Sequence, residues 1–266
     1  MFPNPIALNL GIVQIHWYGL LIVLGAVLGS YVVIVLARRK GISKDTILDL
    51  VFYLAIFGIL GARMYYVLYD LPYYIQNPLE IPLVWHGGLG IFGAIVTGAL
   101  TTYIFTKIKK ISLFVMTDLL IVGLLIGQIF GRFGNYFNQE LYGLPTTLPW
   151  GIAIDTAHRV PGFENFTHFH PTFMYESILN LVALGIIFVV NTLQLSKKIK
   201  DTAGLMTGIY FISYGFIRAF TETLRIDFSP LIAGQRVGMW FAGFVILVGV
   251  GCVLSYIHHD QRNTTL

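Results

Sequence analysis

Long apolar runs dominate this sequence and restrict what it can fold into. The chain has 266 residues, of which 56% are hydrophobic and only 11% are charged, whereas soluble domains carry about 25% charged residues. A helix needs ~20 mostly apolar residues to cross a bilayer, and about seven such segments follow one another here. The sequence therefore predicts an integral membrane protein.

The apolar runs give approximate bounds for seven helices. Helices are predicted at 17–37, 47–69, 87–106, 113–131, 172–194, 204–225 and 236–257. Seven spanning helices use most of this length and leave little for a separate soluble domain. We therefore expect an all-α membrane protein whose residues 1–266 form a single polytopic domain.

The longest stretch between predicted helices covers residues 140–171. It contains four prolines, which stop helices, and its segment 148–154 resembles a short strand. A loop of this length is usually either functional or disordered, and the aromatic residues here favour order. We expect a small extracytoplasmic cap with short strands.

The lysines predict the orientation of the chain. All eight fall in three short segments, which follow the first, third and fifth predicted helices: Lys40 and Lys44; Lys107, Lys109 and Lys110; Lys197, Lys198 and Lys200. Such clusters mark cytoplasmic loops, so this distribution of the +4 net charge indicates topology and not a nucleic-acid partner. We expect the N-terminus outside and the C-terminus in the cytoplasm.

Pairs of glycines four residues apart occur in several apolar runs. Small residues at this spacing let membrane helices approach closely. The pairs are Gly25 and Gly29, Gly123 and Gly127, and Gly204 and Gly208. They predict helix crossings and need no functional explanation.

The sixth predicted helix carries charges that are costly inside a membrane and therefore tend to mark function. Arg218, Glu222 and Arg225 stand at positions i, i+4 and i+7, which places them on one helical face. Glu222 can pair with either arginine, and the three side chains together keep one positive charge. Two interpretations remain open here: a structural stripe of ion pairs, or a binding site for an anion.

The end of the fourth predicted helix is unusually polar. Arg132 is followed by Asn135 and Glu140, with glycines at either end of the segment 131–143. Asparagine and glycine tolerate left-handed backbone. We expect a polar loop at membrane depth, which is tolerated only where it is buried in protein or lines a cavity.

The third predicted helix begins at His86, Gly87 and Gly88. The glycines permit close backbone approach, and a helix N-terminus offers free N–H groups and partial positive charge to a phosphate. His86 can serve as an acid, a base or a hydrogen-bond donor. The alternative is an interfacial histidine with a structural role only.

Other chemistries have little support in the sequence. His168 and His170 lack a convincing third metal ligand nearby, so we expect no metal and no organic cofactor. The single cysteine, Cys252, lies in an apolar run with no polar neighbour, which argues against a catalytic thiol. No nucleophile elbow or nucleotide-binding phosphate loop is present.

The segment Gly131 to Gly143 resembles the signature of prolipoprotein diacylglyceryl transferases, which reads Gly-Arg-x-Gly-Asn followed by Asn-x-Glu-x-x-Gly. Every fixed position is present, and Tyr136 stands where phenylalanine is common. Further pieces match the family in order along nearly the whole chain: His16 to Leu20, His86 to Leu89, His170-Pro171 with Tyr175-Glu176, and Arg218 with Glu222 and Arg225.

The resemblance implies a seven-helix enzyme of the bacterial cytoplasmic membrane. Such enzymes transfer the sn-1,2-diacylglyceryl group of phosphatidylglycerol to the lipobox cysteine thiol of a prolipoprotein. A thioether forms and glycerol phosphate leaves, which is the first step of lipoprotein maturation. The implied partners are phosphatidylglycerol, the signal peptide of the precursor and membrane lipids.

The resemblance also suggests roles for the matching residues. We expect Arg132 and Arg225 to hold the phosphate, because arginine matches phosphate oxygens better than lysine does. We expect His86 either to deprotonate the thiol or to orient the head group. Further residues expected at the catalytic or substrate site are Tyr18, Gly87, Gly88, Asn135, Glu140, Gly143, Tyr214, Arg218 and Glu222.

Two functions from other classes also fit intramembrane charges. A small transporter or channel for an organic anion would show paired broken helices in two similar halves, and the sequence shows only one polar segment of that kind. An intramembrane protease would need a serine with a histidine partner or paired intramembrane aspartates, and neither is evident. Both alternatives are therefore weaker than the transferase.

Overall fold

A computed structural model describes residues 3–11, 14–199 and 202–264, with side chains described through residue 255. Lys200, in the third lysine cluster, lies outside these residues. Eight α-helices account for most of the described chain. They are α1 (Trp17–Arg39), α2 (Lys44–Tyr69), α3 (Leu71–Gln76), α4 (Ile91–Lys109), α5 (Leu113–Asn138), α6 (Thr172–Leu195), α7 (Leu205–Leu224) and α8 (Val237–Thr264).

The seven predicted helices are all present. The last of them continues to Thr264 instead of ending at 257, and two further differences in bounds concern the predicted site. The helix expected to end at residue 131 continues to Asn138 as α5, and the helix expected to start at 87 begins at Ile91 as α4. Six of the long helices, all except α7, are long and apolar enough to cross a membrane. The sequence of α7 includes Arg218 and Glu222.

Local sequence explains where several helices begin and end. The Ser43 hydroxyl accepts a hydrogen bond from the Thr46 backbone N–H (3.2 Å) at the start of α2, which satisfies one of the unpaired donors of a helix N-terminus. Pro171 precedes α6. Lys110 ends α4 in the left-handed conformation (φ 55°), a common way to terminate a helix.

The chain divides into two compact units. One unit comprises residues 33–116, and in it α2 packs against α4. The other comprises residues 1–32 and 117–266, and in it α7 packs against α6 and α8. The second unit contains most of the predicted site residues and is called the arginine unit below.

Gly25, Gly29, Gly123, Gly127 and Gly208 lie at helix crossings within the arginine unit, as predicted, whereas Gly204 precedes α7 as its N-cap (φ 98°). A Cβ on Gly29 of α1 would stand 2.8 Å from the Gly123 carbonyl oxygen of α5, and one on Gly208 of α7 would stand 3.0 Å from the Gly249 oxygen of α8. These distances leave no room for a side chain, so glycine is required for the backbones to approach.

Three short antiparallel strand pairs complete the described chain. Strand β1 (Ile6–Asn9) pairs with β2 (Gln14–His16), β3 (Ile152–Ala153) with β4 (His168–Phe169), and β5 (Leu231–Ile232) with β6 (Gln235–Arg236). In the second pair, Ile152 lies opposite Phe169 and Ala153 opposite His168.

Segment 140–171 has a small core of its own, which contains the β3–β4 pair. Tyr142, Ile154 and Phe169 are buried together. The Tyr142 hydroxyl donates to the His158 carbonyl (2.7 Å) and accepts from the Val160 N–H (2.8 Å). Burial raises the pKa of this phenol above its usual value. Short strands are present in this segment, but only Ile152–Ala153 of the stretch 148–154 that resembled a strand forms one.

Candidate active site

The Arg132 guanidinium forms an ion pair with Glu176 across two helices. Its Nη2 lies 2.6 Å from the Glu176 Oε1, and the Glu176 side chain is only 4% exposed. The contact is close but is not aligned as a hydrogen bond. Removing a carboxylate from water costs free energy unless a cation compensates its charge. Arg132 on α5 provides that compensation for Glu176 on α6.

The segment after Arg132 is helical, so the prediction of a polar loop starting at residue 131 was wrong. Asn135 lies on the last turns of α5, and only the residues after Asn138 leave the helix. Gln139 (φ 52°) and Leu141 (φ 55°) take the left-handed conformation that we expected of asparagine and glycine. The polar side chains of Arg132 and Asn135 therefore lie on a helix. The backbone N–H and C=O groups of a helix bond to one another and need no partner from the membrane.

The Glu140 carboxylate is held by two amides at the end of α5. Asn135 Nδ2 donates to Glu140 Oε1 at 2.8 Å, and Asn138 Nδ2 donates to the same oxygen at 3.0 Å. Arg132 Nη1 is 3.5 Å from the Asn135 amide oxygen. Arg132, Asn135 and Glu140 therefore belong to one hydrogen-bonded group.

Gly143 is closely packed on several sides, by Thr172, Leu224 and His170. It pairs with Arg225 in an isolated antiparallel bridge, and its N–H donates to the His170 carbonyl at 2.8 Å. A Cβ at this position would lie 2.8 Å from the Leu224 carbonyl oxygen. The close approach explains the need for glycine and joins the end of α7 to the signature segment.

Glu222 pairs with two arginines, but one of them differs from the prediction. Its Oε2 lies 2.6 Å from Arg218 Nη2, and its Oε1 accepts from Arg236 Nε at 2.6 Å. The helix α7 ends at Leu224, so Arg225 does not share its helical face. The predicted pairing of Glu222 with a nearby arginine is confirmed for Arg218, and the prediction that all three residues share one helical face was wrong. The second partner of Glu222 is the distant residue Arg236.

Arg225 instead pairs with Asp227. Its Nε and Nη2 donate to the two carboxylate oxygens at 2.7 and 2.9 Å, a bidentate geometry that fixes the guanidinium plane. Arg236 donates to two backbone carbonyls nearby, those of Arg225 (3.2 Å) and Asp227 (2.9 Å).

Two tyrosines connect these groups. The Tyr214 hydroxyl is within electrostatic range of Glu176 and of three arginines, Arg132, Arg218 and Arg225. Tyr18 is in range of Glu140 and Arg132. The predicted residues of the arginine unit therefore form one cluster. Its four arginines form ion pairs with three carboxylates, Glu176, Glu222 and Asp227, and the fourth carboxylate of the cluster, Glu140, is held by two amides.

The cluster includes three residues to which sequence reasoning gave no role: Glu176, Asp227 and Arg236. Glu176 was visible as part of the Tyr175-Glu176 element, and Asp227 stands two positions after Arg225. Nothing in the sequence linked Arg236 to Glu222, because the two residues are 14 positions apart and β5 lies between them.

His86, Gly87 and Gly88 belong to the other unit, residues 33–116. They precede α4 instead of starting it, because His86 ends a short 3₁₀ turn and both glycines have positive φ (88° and 70°). The prediction that they form a helix N-terminus was therefore wrong. The His86 Nδ1 lies 2.8 Å from the Glu80 carboxylate.

The two histidines considered for a metal each contact a hydroxyl group a few residues away. His168 Nδ1 contacts the Thr167 hydroxyl at 2.9 Å and His170 Nδ1 contacts the Tyr175 hydroxyl at 3.0 Å. Within the described residues, no group of three or more metal-ligating side chains comes together.

Comparison with known proteins identifies relatives over nearly the whole chain. Residues 5–255 match the family model described as prolipoprotein diacylglyceryl transferase. Three relatives carry the name phosphatidylglycerol–prolipoprotein diacylglyceryl transferase. They come from Streptococcus mutans (38% identity; 98% of this chain and 96% of the relative), Acaryochloris marina (39%; 94% and 88%) and Trichormus variabilis (37%; 89% and 85%).

Proposed function

The chain belongs to the prolipoprotein diacylglyceryl transferase family, and we propose on that basis that it transfers diacylglyceryl from phosphatidylglycerol to the lipobox cysteine of prolipoproteins. The observation that carries the proposal is the cluster of ion-paired arginines built on the family signature, Gly131 to Gly143. A membrane enzyme whose donor substrate is an anionic lipid needs such a cluster.

The chemistry defines what the residues must supply. The cysteine sulfur attacks the glyceryl carbon that bears the phosphate ester, so a C–S bond forms and a C–O bond breaks. The oxygen leaves with the bonding electrons as glycerol phosphate, and the thiol proton passes to a base. Charge grows on the leaving phosphate, so fixed cations stabilise the transition state more than the ground state.

Among the arginines, Arg132 and Arg218 are best suited to hold the phosphate. Within the described residues, Glu222 takes one nitrogen of Arg218, and Glu176 takes one of Arg132, whose second contact, to Asn135, is long. Arg236 uses all three nitrogens and therefore supports the cluster. Arg225 is fixed by Asp227 but keeps Nη1 for a phosphate oxygen.

The remaining assignments follow the same logic. Asn135 and Glu140 bind glycerol hydroxyls, because amide and carboxylate groups match alcohols, and Tyr18 and Tyr214 contribute phenolic donors. Glu222 keeps Arg218 in position. Gly143, Gly87 and Gly88 shape the backbone around substrate. His86 accepts the proton of the thiol, whose ordinary pKa of ~8.5 requires only a modest base.

We also propose a topology for the enzyme. The helices α1, α2 and α4 to α8 make seven spans, with α7 included because its charges are paired inside the protein. The lysine clusters support an orientation with the N-terminus outside and the C-terminus in the cytoplasm. Segment 140–171 is then an extracytoplasmic cap on a single domain in the bacterial inner membrane.

A transfer assay tests the function. Purified protein is mixed with phosphatidylglycerol vesicles and a lipobox peptide, and the peptide mass and released glycerol phosphate are measured. We expect one diacylglyceryl group on the cysteine, no product with a Cys→Ala peptide, and loss of product with Arg132→Ala. Absence of product from folded protein would contradict the proposal.

A further inference from the structure

A buried arginine organises the segment that carries His86. Arg63, on α2, is only 5% exposed. Its guanidinium donates to four backbone carbonyls: those of Glu80 (2.5 Å), Ile81 (2.9 Å), Gly87 (2.6 Å) and Gly88 (3.0 Å). One side chain therefore ties both ends of segment 80–88 together.

Only arginine can make this set of contacts. Its planar fork offers five donors in fixed directions, whereas lysine offers a single compact ammonium. The centroid of the Tyr74 ring lies 5.1 Å from the Arg63 guanidinium carbon. The face of the ring stabilises the positive charge of the guanidinium through a cation–π interaction. A Cβ on Gly88, whose φ is +70°, would lie 2.6 Å from Arg63 Nη1, so this glycine allows the guanidinium to reach the backbone.

The same segment contains a carboxylate–histidine pair. The backbone carbonyl of Glu80 accepts a hydrogen bond from Arg63, and the Glu80 carboxylate lies 2.8 Å from His86 Nδ1. The side chains of His86 and Glu80 are 52% and 33% exposed. An ion pair this exposed adds little to folding stability, so its main effect is on the orientation and tautomer of the imidazole.

We propose that Glu80 and Arg63 are positioning residues for His86. The Glu80 carboxylate accepts a hydrogen bond from Nδ1–H, which leaves the lone pair of the neutral imidazole on Nε2, and Arg63 fixes the backbone from which both side chains extend. The inference rests on the proposed function, in which His86 accepts the thiol proton. The proton then moves from sulfur to Nε2, the electron pair stays on sulfur, and the Glu80 carboxylate stabilises the imidazolium that forms.

A double-mutant cycle tests this proposal. Transfer is measured with saturating phosphatidylglycerol and varied lipobox peptide for Glu80→Gln, His86→Gln and the combined variant. General acid–base catalysis contributes 10²–10⁴-fold, so we expect His86→Gln to lower kcat by about 100-fold. Glu80→Gln lowers kcat by about tenfold with unchanged KM, and the combined variant equals His86→Gln alone.

A second double-mutant cycle combines Arg63→Lys with His86→Gln. As in the first cycle, we expect the combined variant to have the same kcat as His86→Gln alone. If Arg63→Lys does not fold, the Glu80 cycle decides alone. The matched controls are Glu164→Gln, an exposed carboxylate that binds the Gly162 N–H, and Arg159→Lys, which likewise loses contacts to backbone carbonyls. Both controls keep wild-type turnover.

The outcomes separate the inference from the proposed function. A wild-type protein that transfers nothing refutes the function. Suppose that the wild type transfers diacylglyceryl but the combined Glu80→Gln, His86→Gln variant has a kcat about 1,000-fold lower, as two independent effects would give. That result overturns the positioning role and leaves the proposed function intact. Normal turnover in Glu80→Gln or in His86→Gln overturns it as well.

Discussion

The charged residues of the arginine unit combine two opposing requirements. A guanidinium or carboxylate buried in a membrane protein must be paired, yet an anionic lipid needs a cation that still has donors to give. Arg132 meets both requirements, because Glu176 contacts one of its nitrogens while a fifth of its side chain remains exposed. The pairing lowers the cost of the charge without removing the site.

Replacing Arg132 with lysine tests the need for a fork-shaped donor. Lysine keeps the charge but cannot bridge Glu176, Asn135 and a phosphate oxygen together. Since loss of one transition-state donor costs about 10²–10³ in kcat, we expect Arg132→Lys to reduce kcat by about 100-fold. Initial transfer rates give the result, with Arg159→Lys as the control, and full activity in Arg132→Lys would show that charge alone suffices.

Glu222 contributes mainly to stability. Its side chain is 1% exposed and contacts both Arg218 and Arg236, so Glu222→Gln leaves two arginines without their carboxylate. Breaking a buried pair on one side costs about 3–5 kcal/mol. We expect a lower unfolding midpoint in detergent, beyond that of Glu164→Gln, whose carboxylate is exposed. Equal midpoints for the two variants would mean that the arginines find other partners.

Individual helices position these residues through close packing. The α1–α5 crossing depends on Gly29 facing Gly123, and α5 then delivers Arg132 and Asn135 to the cluster. The β5–β6 pair performs a similar task after α7, because it returns the chain so that Arg236 reaches Glu222. Helix geometry alone could not have joined these two residues.

A methyl group at Gly29 should disturb this crossing. The added Cβ would meet the Gly123 backbone at 2.8 Å, and backbone cannot rotate away as a side chain can. Overpacking of this kind costs about 1–3 kcal/mol, so we expect Gly29→Ala to lower the thermal midpoint in detergent. Gly185→Ala in α6, where a Cβ meets nothing within 4 Å, is the control and should be no less stable than wild type.

At the scale of the whole molecule, the proposed function requires a defined orientation. Phosphatidylglycerol and the precursor both reach the enzyme from the bilayer, and both must meet the arginine cluster on the same side. The polar and charged residues of α7 are therefore tolerated only if that helix is enclosed by its neighbours, as its packing against α6 and α8 indicates.

Single-cysteine labelling tests the orientation. In a Cys252→Ser background, cysteines replace Asn77 and Thr147 on the predicted outer side, and Ser112 and Ser196 on the predicted inner side. We expect a membrane-impermeant maleimide to label only the first two in intact cells, and all four after lysis. Labelling of position 196 in intact cells would show that the orientation is opposite to the one proposed.

The sequence by itself determined the class of protein and the identity of most candidate residues. Apolar runs of about 20 residues have no stable alternative to helices in lipid, so their number and approximate bounds follow from composition. The resemblance of the segment Gly131 to Gly143 to the family signature implied the chemistry, whereas the spacing of Arg218, Glu222 and Arg225 left a structural stripe of ion pairs and an anion site both open.

Tertiary structure alone decided which groups are partners. Local spacing offered Glu222 either Arg218 or Arg225 as a partner. Because α7 ends at Leu224 and the β5–β6 pair returns the chain, Arg236 joins Arg218 at Glu222, and Arg225 does not. The pairing of Arg132 with Glu176 and the four carbonyls around Arg63 also join distant parts of the chain. Periodicity describes neighbours along one helix, whereas ion pairs and caps form wherever folding brings complementary charges within reach.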